Sequence, residues 1–167
     1  MALFRYKRPF LDTSVFLAAI NGEKLVADGS TRGEVARDIL QAAERKEIVL
    51  IASALVAAEI IYKKGSKVPS DEPEPEIDAI LNNRDRPVLW VDVDYSLTTE
   101  ARHLARTHRL DVNDSIHLAA ALRGKADVLL RWDREFKEMT KIDGIQILDP
   151  YWYGDRPLFD AGVGPHK

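Results

Sequence analysis

Hydrophobic residues follow two patterns along this chain, and the two patterns alternate. Short continuous apolar runs are typical of strands that are buried on both faces of a parallel sheet. Longer stretches with apolar residues at helical spacing predict helices that pack one face on that sheet. The predicted strands are residues 8–12, 47–52, 88–91, 127–131 and 144–148. The predicted helices are residues 14–20, 31–46, 54–64, 76–82, 96–108, 114–123 and 134–140.

This alternation predicts an α/β fold: a three-layer α/β/α sandwich with a mostly parallel central sheet of four to five strands. A length of 167 residues is enough for one domain with a single core. We expect that domain to span residues 1–149, because no linker or repeat interrupts them. Residues 150–167 are rich in aromatic residues, Pro and Gly, and they predict an irregular C-terminal tail.

The composition narrows the class of protein. The absence of cysteine excludes disulfides, thiolate metal sites and thiol catalysis. The basic N-terminus is followed by no apolar segment of a signal peptide. The longest apolar stretch, 48–61, is shorter than the roughly 20 residues that a membrane span needs. We therefore expect a soluble cytoplasmic protein with no membrane partner, and the net charge of −3 argues mildly against a surface that attracts nucleic acid everywhere.

Four acidic residues occupy unusual positions in this pattern. Asp12 and Asp133 directly follow predicted strands, Asp114 opens a predicted helix, and Glu59 lies inside an otherwise apolar helix. Each has a simpler explanation, since Asp12, Asp114 and Asp133 suit helix N-termini and Glu59 can reach solvent. However, the carboxyl ends of parallel strands meet at one edge of the sheet, where ligands of open α/β folds bind.

If these carboxylates meet, their charges must be balanced. Neighbouring carboxylates raise one another's pKa unless cations lie between them. A cluster of oxygen ligands without cysteine suits hard cations such as Mg²⁺ or Mn²⁺. Ions of this kind activate water and stabilise the developing charge of a phosphodiester. The spacing alone leaves open whether the four side chains converge.

Four segments of the chain resemble the acidic motifs of PIN domains, in the order that this family has them. The segments are residues 10–14, 57–60, 113–121 and 129–136. The resemblance covers about residues 8 to 148. It implies a PIN-like nuclease domain that hydrolyses RNA with Mg²⁺ or Mn²⁺. Many small bacterial and archaeal members of the family are VapC toxins of toxin–antitoxin pairs.

Carried over to this sequence, the resemblance implies a set of catalytic, metal-binding acids, which are Asp12, Glu59, Asp114 and Asp133. The implied reaction is attack of a metal-activated water on an RNA phosphodiester, which leaves a 5′-phosphate and a 3′-hydroxyl. Ser14 would hold Asp12 or a bound water. An antitoxin protein and a second copy of the chain, in a homodimer, are the implied partners besides the RNA substrate.

The fourth motif departs from the family at Arg131, where Thr or Ser is usual. We expect this cation to contact the substrate phosphate or to replace part of the role of a metal. Trp132 has two interpretations, a residue of the core or of the rim of the site, or, next to Asp133, a candidate for stacking on a base, a contact worth about 1–3 kcal/mol. His117 lies one turn from Asp114 and could face the pocket, but we favour its interpretation as a histidine partly packed on its own helix.

Two other functions compete with a ribonuclease. Phosphatases of the haloacid-dehalogenase type also begin with an Asp after the first strand, but they need a second Asp where this chain has Ser14. The sequence also lacks the Gly-rich fingerprint of nucleotide-cofactor enzymes. The alternative that stays open is a catalytically degenerate PIN-like module that binds RNA or protein. Arg131 favours this alternative, and the presence of all four acids argues against it.

Overall fold

Short strands alternate with helices along the part of the chain that the computed structural model describes, which is residues 4–24, 26–27, 30–60, 75–132 and 140–153. The strands are β1 (Pro9–Leu11), β2 (Val26–Ala27), β3 (Ser30–Thr31), β4 (Leu50–Ser53), β5 (Val88–Val91), β6 (Val128–Leu130), β7 (Thr140–Ile142) and β8 (Ile145–Leu148). The helices are α1 (Thr13–Asn21), α2 (Arg32–Glu44), α3 (Ala54–Glu59), α4 (Pro75–Leu81), α5 (Tyr95–His108) and α6 (Val112–Arg123). A 3₁₀ helix spans Pro150–Trp152.

The central sheet has the strand order β5-β4-β1-β6-β8-β7. All its pairs are parallel except β7 with β8, and β1 lies in the middle with Phe10 aligned to Ile51 and Leu129. β2 and β3 form a separate antiparallel pair. The prediction of an α/β fold with a mostly parallel sheet is confirmed.

Within the described residues the sheet has six strands, whereas four to five were predicted. The additional strand is β7, which begins at the end of a predicted helix. It forms a hairpin with β8 because Asp143 and Gly144 both have positive φ, 47° and 91°. An Asp-Gly pair between apolar residues favours such a tight turn. The rest of the predicted helix, residues 134–139, lies outside the described part of the chain.

Helices cover both faces of the sheet because successive strand residues point to opposite sides. Leu11 packs in one buried cluster with apolar residues of α1, α2 and α3. Phe10 packs in the other with residues of α5 and α6. These two cores produce the predicted three layers. Among the described helices, none combines the length and the apolar character that a bilayer crossing requires.

The C-terminal segment is held on the core at its start. Tyr153 is buried, stacks on Phe4 at 4.8 Å between ring centroids, and donates a hydrogen bond from its hydroxyl to the Tyr6 carbonyl at 2.7 Å. The first residues of the predicted irregular tail are therefore ordered by aromatic packing. Residues 154–167 lie outside the described part of the chain.

Three chain segments reach the carboxyl edge of the sheet together. Asp12 follows β1 and donates its backbone N–H to the Leu130 carbonyl of β6 at 3.0 Å. Ser53 ends β4 and caps α3. Arg131 follows β6 and donates its backbone N–H to the Leu148 carbonyl at 3.1 Å. The sheet thus fixes the backbone of the residues from which a site at this edge is built.

Truncation of the sheet core should destabilise the protein far more than truncation of its edge. Leu130 in β6 is fully buried, whereas Leu89 in the edge strand β5 is 45% exposed. We expect Leu130→Ala to lower the free energy of unfolding by about 2–5 kcal/mol. The matched Leu89→Ala should lower it by about 1 kcal/mol or less. Urea denaturation measures both, and equal losses would contradict this packing.

Candidate active site

Asp12 uses its two carboxylate oxygens in different ways. Oδ2 accepts hydrogen bonds from the backbone N–H and the hydroxyl of Ser14, at 3.1 and 2.7 Å, and so caps α1. The backbone N–H of Trp132 donates to the Ser14 hydroxyl oxygen at 3.1 Å, which leaves the hydroxyl proton for Asp12. Oδ1 lies 3.7 Å from Nε2 of His117. Asp12 is therefore a helix cap whose second oxygen faces other polar side chains.

Glu59 ends α3 and turns inward rather than toward bulk solvent. Its Oε1 accepts a hydrogen bond from the Asn113 amide at 2.7 Å. Its Oε2 accepts one from the Thr13 hydroxyl and lies 3.0 Å from Nε2 of His117. Burial raises the pKa of Glu59, but the hydrogen bonds from His117 and Thr13 outweigh burial and lower this pKa below its usual value of 4.5. Glu59 is therefore a carboxylate at neutral pH.

The helix α3 ends at Glu59, earlier than the sequence predicts. The sequence predicts this helix to continue to residue 64, but Ile60 already has the non-helical φ of −89° and ψ of 70°. A helix that ended later would carry Glu59 in its interior. The position of Glu59 at the end of α3 lets its side chain reach α1 and α6. The rest of the predicted helix falls in residues 61–74, which lie outside the described part of the chain.

His117 joins the first two acids. Its imidazole is buried, with 2% of the residue exposed, and Nδ1 lies 3.2 Å from the Ser53 hydroxyl oxygen. That oxygen accepts the Leu55 backbone N–H, so its own proton is available to Nδ1. This arrangement fits the tautomer with a proton on Nε2, which then donates to Glu59.

The interpretation of His117 as a packed histidine is incomplete, because its nitrogens contact site residues. The sequence does contain a signal for this contact: His117 follows Asp114 by three residues, so both lie on one face of α6. Thr13 and Asn113, each adjacent to a motif acid, are further site residues that the sequence did not single out.

Asp114 lies in the first turn of α6, whose N-cap is Asp111. The Asp114 backbone N–H donates to Oδ1 of Asp111 at 2.8 Å. Burial raises the pKa of Asp114, and the negative charges of Asp111 and Asp12 act in the same direction. Arg131 opposes this shift without cancelling it. The effect of Asp12 on Asp114 indicates that the two carboxylates are electrostatic neighbours.

Arg131 is engaged with an acid of the site. Its Nη1 lies 3.0 Å from Oδ2 of Asp114, and the two side chains are only 9% and 13% exposed. The predicted contact of Arg131 with a substrate phosphate would require the guanidinium to leave this ion pair. In the protein without substrate, Arg131 serves as the counter-ion of Asp114.

Trp132 is packed in the interior, with 7% of the residue exposed. Its indole N–H donates to Oδ1 of Asp149 at 3.0 Å, and its ring contacts Tyr151 at 5.8 Å between centroids. The guanidinium carbon of Arg32 lies 5.5 Å from the ring centroid. This burial argues for core packing over the predicted stacking on a base. Asp133, the next residue, lies outside the described part of the chain, so its place in the site stays a prediction.

The family model of the PIN domain matches residues 10–142 of this sequence. The chain belongs to the PIN domain family. This range contains Asp12, Glu59, Asp114 and Asp133, which the resemblance selected as the acids of the family.

Solved structures with the same fold include three toxin–antitoxin proteins. VapBC2 of Rickettsia felis, bound to a DNA fragment from its promoter, is 18% identical with a TM-score of 0.55 over 85% of this chain and 98% of that one. VapC20 of Mycobacterium tuberculosis, a toxin that cleaves the sarcin-ricin loop, is 18% identical with a TM-score of 0.56 over 83% and 98%. DNA-bound VapBC of Salmonella typhimurium is 20% identical with a TM-score of 0.51 over 86% and 98%. At these identities the likeness establishes the fold, and no curated protein matches the chain.

The acids of this PIN domain have the chemistry of a site for a hard cation. Asp12, Glu59 and Asp114 offer only oxygen ligands, which suits Mg²⁺ or Mn²⁺. Within the described ranges, however, no three Asp, Glu or His side chains are grouped closely enough to hold an ion as they stand. Each carboxylate is instead held by neighbouring protein groups. The donor types therefore fit a divalent cation, and the present contacts are those of the protein's own hydrogen-bond network.

The lowered pKa of Glu59 predicts a pH-dependent contribution to stability. A carboxyl group with a folded pKa below its unfolded value of 4.5 stabilises the protein above that pH. This contribution disappears as the pH falls through the folded pKa. In the presence of chelator, the difference in unfolding free energy between wild type and Glu59→Gln should therefore be largest near neutral pH and should shrink below pH 4.5.

Chemical denaturation across this pH range measures the difference. The matched control is Glu100→Gln, which removes a charge from an exposed pair with Arg123. Exposed pairs contribute little, so this variant should stay close to wild type at each pH. A difference in unfolding free energy between wild type and Glu59→Gln that does not change with pH would contradict the lowered pKa of Glu59.

Proposed function

We propose that this protein is an Mg²⁺- or Mn²⁺-dependent endoribonuclease and the toxin of a toxin–antitoxin pair. The observation that carries the proposal is the linkage of two motif acids through one buried histidine. His117 contacts both Glu59, at 3.0 Å, and Asp12, at 3.7 Å, at the carboxyl edge of the sheet. Asp114 is the electrostatic neighbour of Asp12. Membership of the PIN domain family supports the assignment of these acids to a nuclease.

The residues that would hold the cation are Asp12, Glu59, Asp114 and, as the sequence predicts, Asp133. When bound, such an ion supplies a more acidic water and positive charge beside the phosphodiester. The rest of the site positions these acids. Ser14 fixes one oxygen of Asp12, and Thr13, Asn113 and His117 fix Glu59 as a carboxylate. The expected products carry a 5′-phosphate and a 3′-hydroxyl.

Similar structures support the toxin assignment. Two of them are VapBC proteins bound to DNA, and a third is a toxin that cleaves the sarcin-ricin loop. We propose by analogy that this chain binds an antitoxin protein, acts on RNA in the cytoplasm and forms a homodimer. The substrate role expected of Arg131 then begins only when RNA or a cation separates it from Asp114.

The nuclease proposal predicts RNA cleavage that needs both a divalent cation and the motif acids. Labelled single-stranded RNA is incubated with the protein in Mg²⁺, in Mn²⁺ or in chelator. Asp12→Asn and Asp114→Asn should lower the cleavage rate by about 100-fold or more, the order seen when one charge-stabilising group is removed from an active site. Chelator should abolish cleavage by the wild type.

The matched control for this experiment is Asp94→Asn. It makes the same substitution at the exposed N-cap of α5, and Asn caps a helix as well as Asp. Its cleavage rate should stay close to that of wild type. Equal residual cleavage in wild type and both acid variants would identify a contaminating nuclease. Tight RNA binding without cleavage by the wild type would favour the catalytically degenerate module.

The toxin proposal predicts that expression harms a bacterial host. Wild-type protein should slow growth, and Asp114→Asn expressed to the same level should not, because the variant lacks cleavage. Growth curves with matched immunoblots measure the difference. Unchanged growth with a wild-type protein that cleaves RNA after purification would contradict the toxin assignment and leave the nuclease assignment standing.

A further inference from the structure

The ion pair of Arg131 with Asp114 is held in place by the sheet. Arg131 directly follows β6, and its backbone N–H donates to the carbonyl of Leu148 in the neighbouring strand β8 at 3.1 Å. The guanidinium therefore starts from a fixed point at the carboxyl edge. Nη1 lies 3.0 Å from Oδ2 of Asp114, with both side chains largely buried. This contact is built into the fold rather than formed by two mobile surface side chains.

Arg131 places a positive charge beside Asp114 where little water can screen it. The Asp114 side chain is 13% exposed, so solvent screens its charge only in part. The Arg131 side chain is 9% exposed, and its Nη1 lies 3.0 Å from Oδ2 of Asp114. Removal of one partner from a buried ion pair leaves an uncompensated charge, which is strongly destabilising.

The other acids of the site are held differently. Glu59 accepts hydrogen bonds from the uncharged side chains of Thr13 and Asn113 as well as from His117. Asp12 accepts from the uncharged Ser14. Neutral donors leave the full negative charge of a carboxylate available to an incoming ion. Only at Asp114, among the described motif acids, does an arginine already occupy an oxygen.

We propose that Arg131 is a built-in counter-ion that must leave Asp114 before this acid binds a divalent cation. The guanidinium and the ion need the same carboxylate, and their like charges repel at that distance. Arg131 therefore lowers the affinity of the site for Mn²⁺ or Mg²⁺. This inference rests on the proposed function only in that the motif acids bind a cation.

A double-mutant cycle on Mn²⁺ binding tests this competition without RNA. Isothermal titration with Mn²⁺ is performed on wild type, Arg131→Gln, Asp114→Asn and the double variant. Arg131→Gln should bind Mn²⁺ about tenfold more tightly or better, the size of effect that neighbours of metal ligands commonly have. Asp114→Asn alone should change the affinity by less than about threefold, because loss of a ligand and release from Arg131 offset each other. In the Arg131→Gln background, Asp114→Asn should remove the whole gain.

Arg131→Lys is the matched control, because it keeps the charge and loses the planar donor arrangement. It should bind Mn²⁺ more weakly than Arg131→Gln. An Arg131→Gln variant that binds no more tightly than wild type would overturn the inference. If that variant fails to fold, the single Asp114→Asn variant decides, since a loss of affinity above about threefold would show that Asp114 binds the ion without competition and would overturn the inference.

The outcomes also separate this inference from the proposed function. If RNA cleavage depends on Mn²⁺ but the Mn²⁺ affinity is the same in wild type and Arg131→Gln, the inference is overturned and the proposed nuclease function is not. Absence of Mn²⁺ binding in wild type and in all three variants would overturn both.

Discussion

The repulsion between carboxylates gathered at one buried edge is the constraint on which the rest of this site depends. Burial raises the pKa of Asp114, and the negative charge of Asp12 acts in the same direction. Two nitrogen-bearing side chains contact the acids of the site. His117 on α6 binds Glu59 and faces Asp12, and Arg131 after β6 binds Asp114. These contacts position Asp12, Glu59 and Asp114 at the carboxyl edge of the sheet.

The positions of the acids were predictable because they follow from chain patterns. Asp12 ends an apolar run, and such a run forms a central parallel strand whose carboxyl end lies at the ligand-binding edge. Asp114 follows a cap residue and lies in the first turn of an Ala-rich helix, so its location near a helix N-terminus was also predictable from the sequence. The order of the four acidic motifs then identified the PIN domain family, which the family match confirmed.

The contacts among these residues were not predictable in the same way. Glu59 contacts His117 because α3 ends at Glu59 and lies against α6. Hydrophobic periodicity predicts neither the residue at which α3 ends nor the rotation of each helix about its own axis. Trp132 was a candidate for stacking on a base because it adjoins an acid, yet its ring is buried and the carboxylate of Asp149 accepts its indole N–H. The strand β7, in contrast, could have been predicted, because the Asp143-Gly144 pair favours a hairpin turn between β7 and β8.

Arg131 is the residue at which this chain departs from its family, and its ion pair gives that departure a physical role. In the proposal made above, this ion pair competes with a divalent cation for Asp114. The most direct measurement is anomalous diffraction from a crystal of the protein soaked in Mn²⁺. The account predicts an Mn²⁺ peak beside Asp12 and Asp114, with the Arg131 guanidinium moved away from its 3.0 Å contact. A peak at another place, or an ion bound to Asp114 with that contact intact, would contradict it.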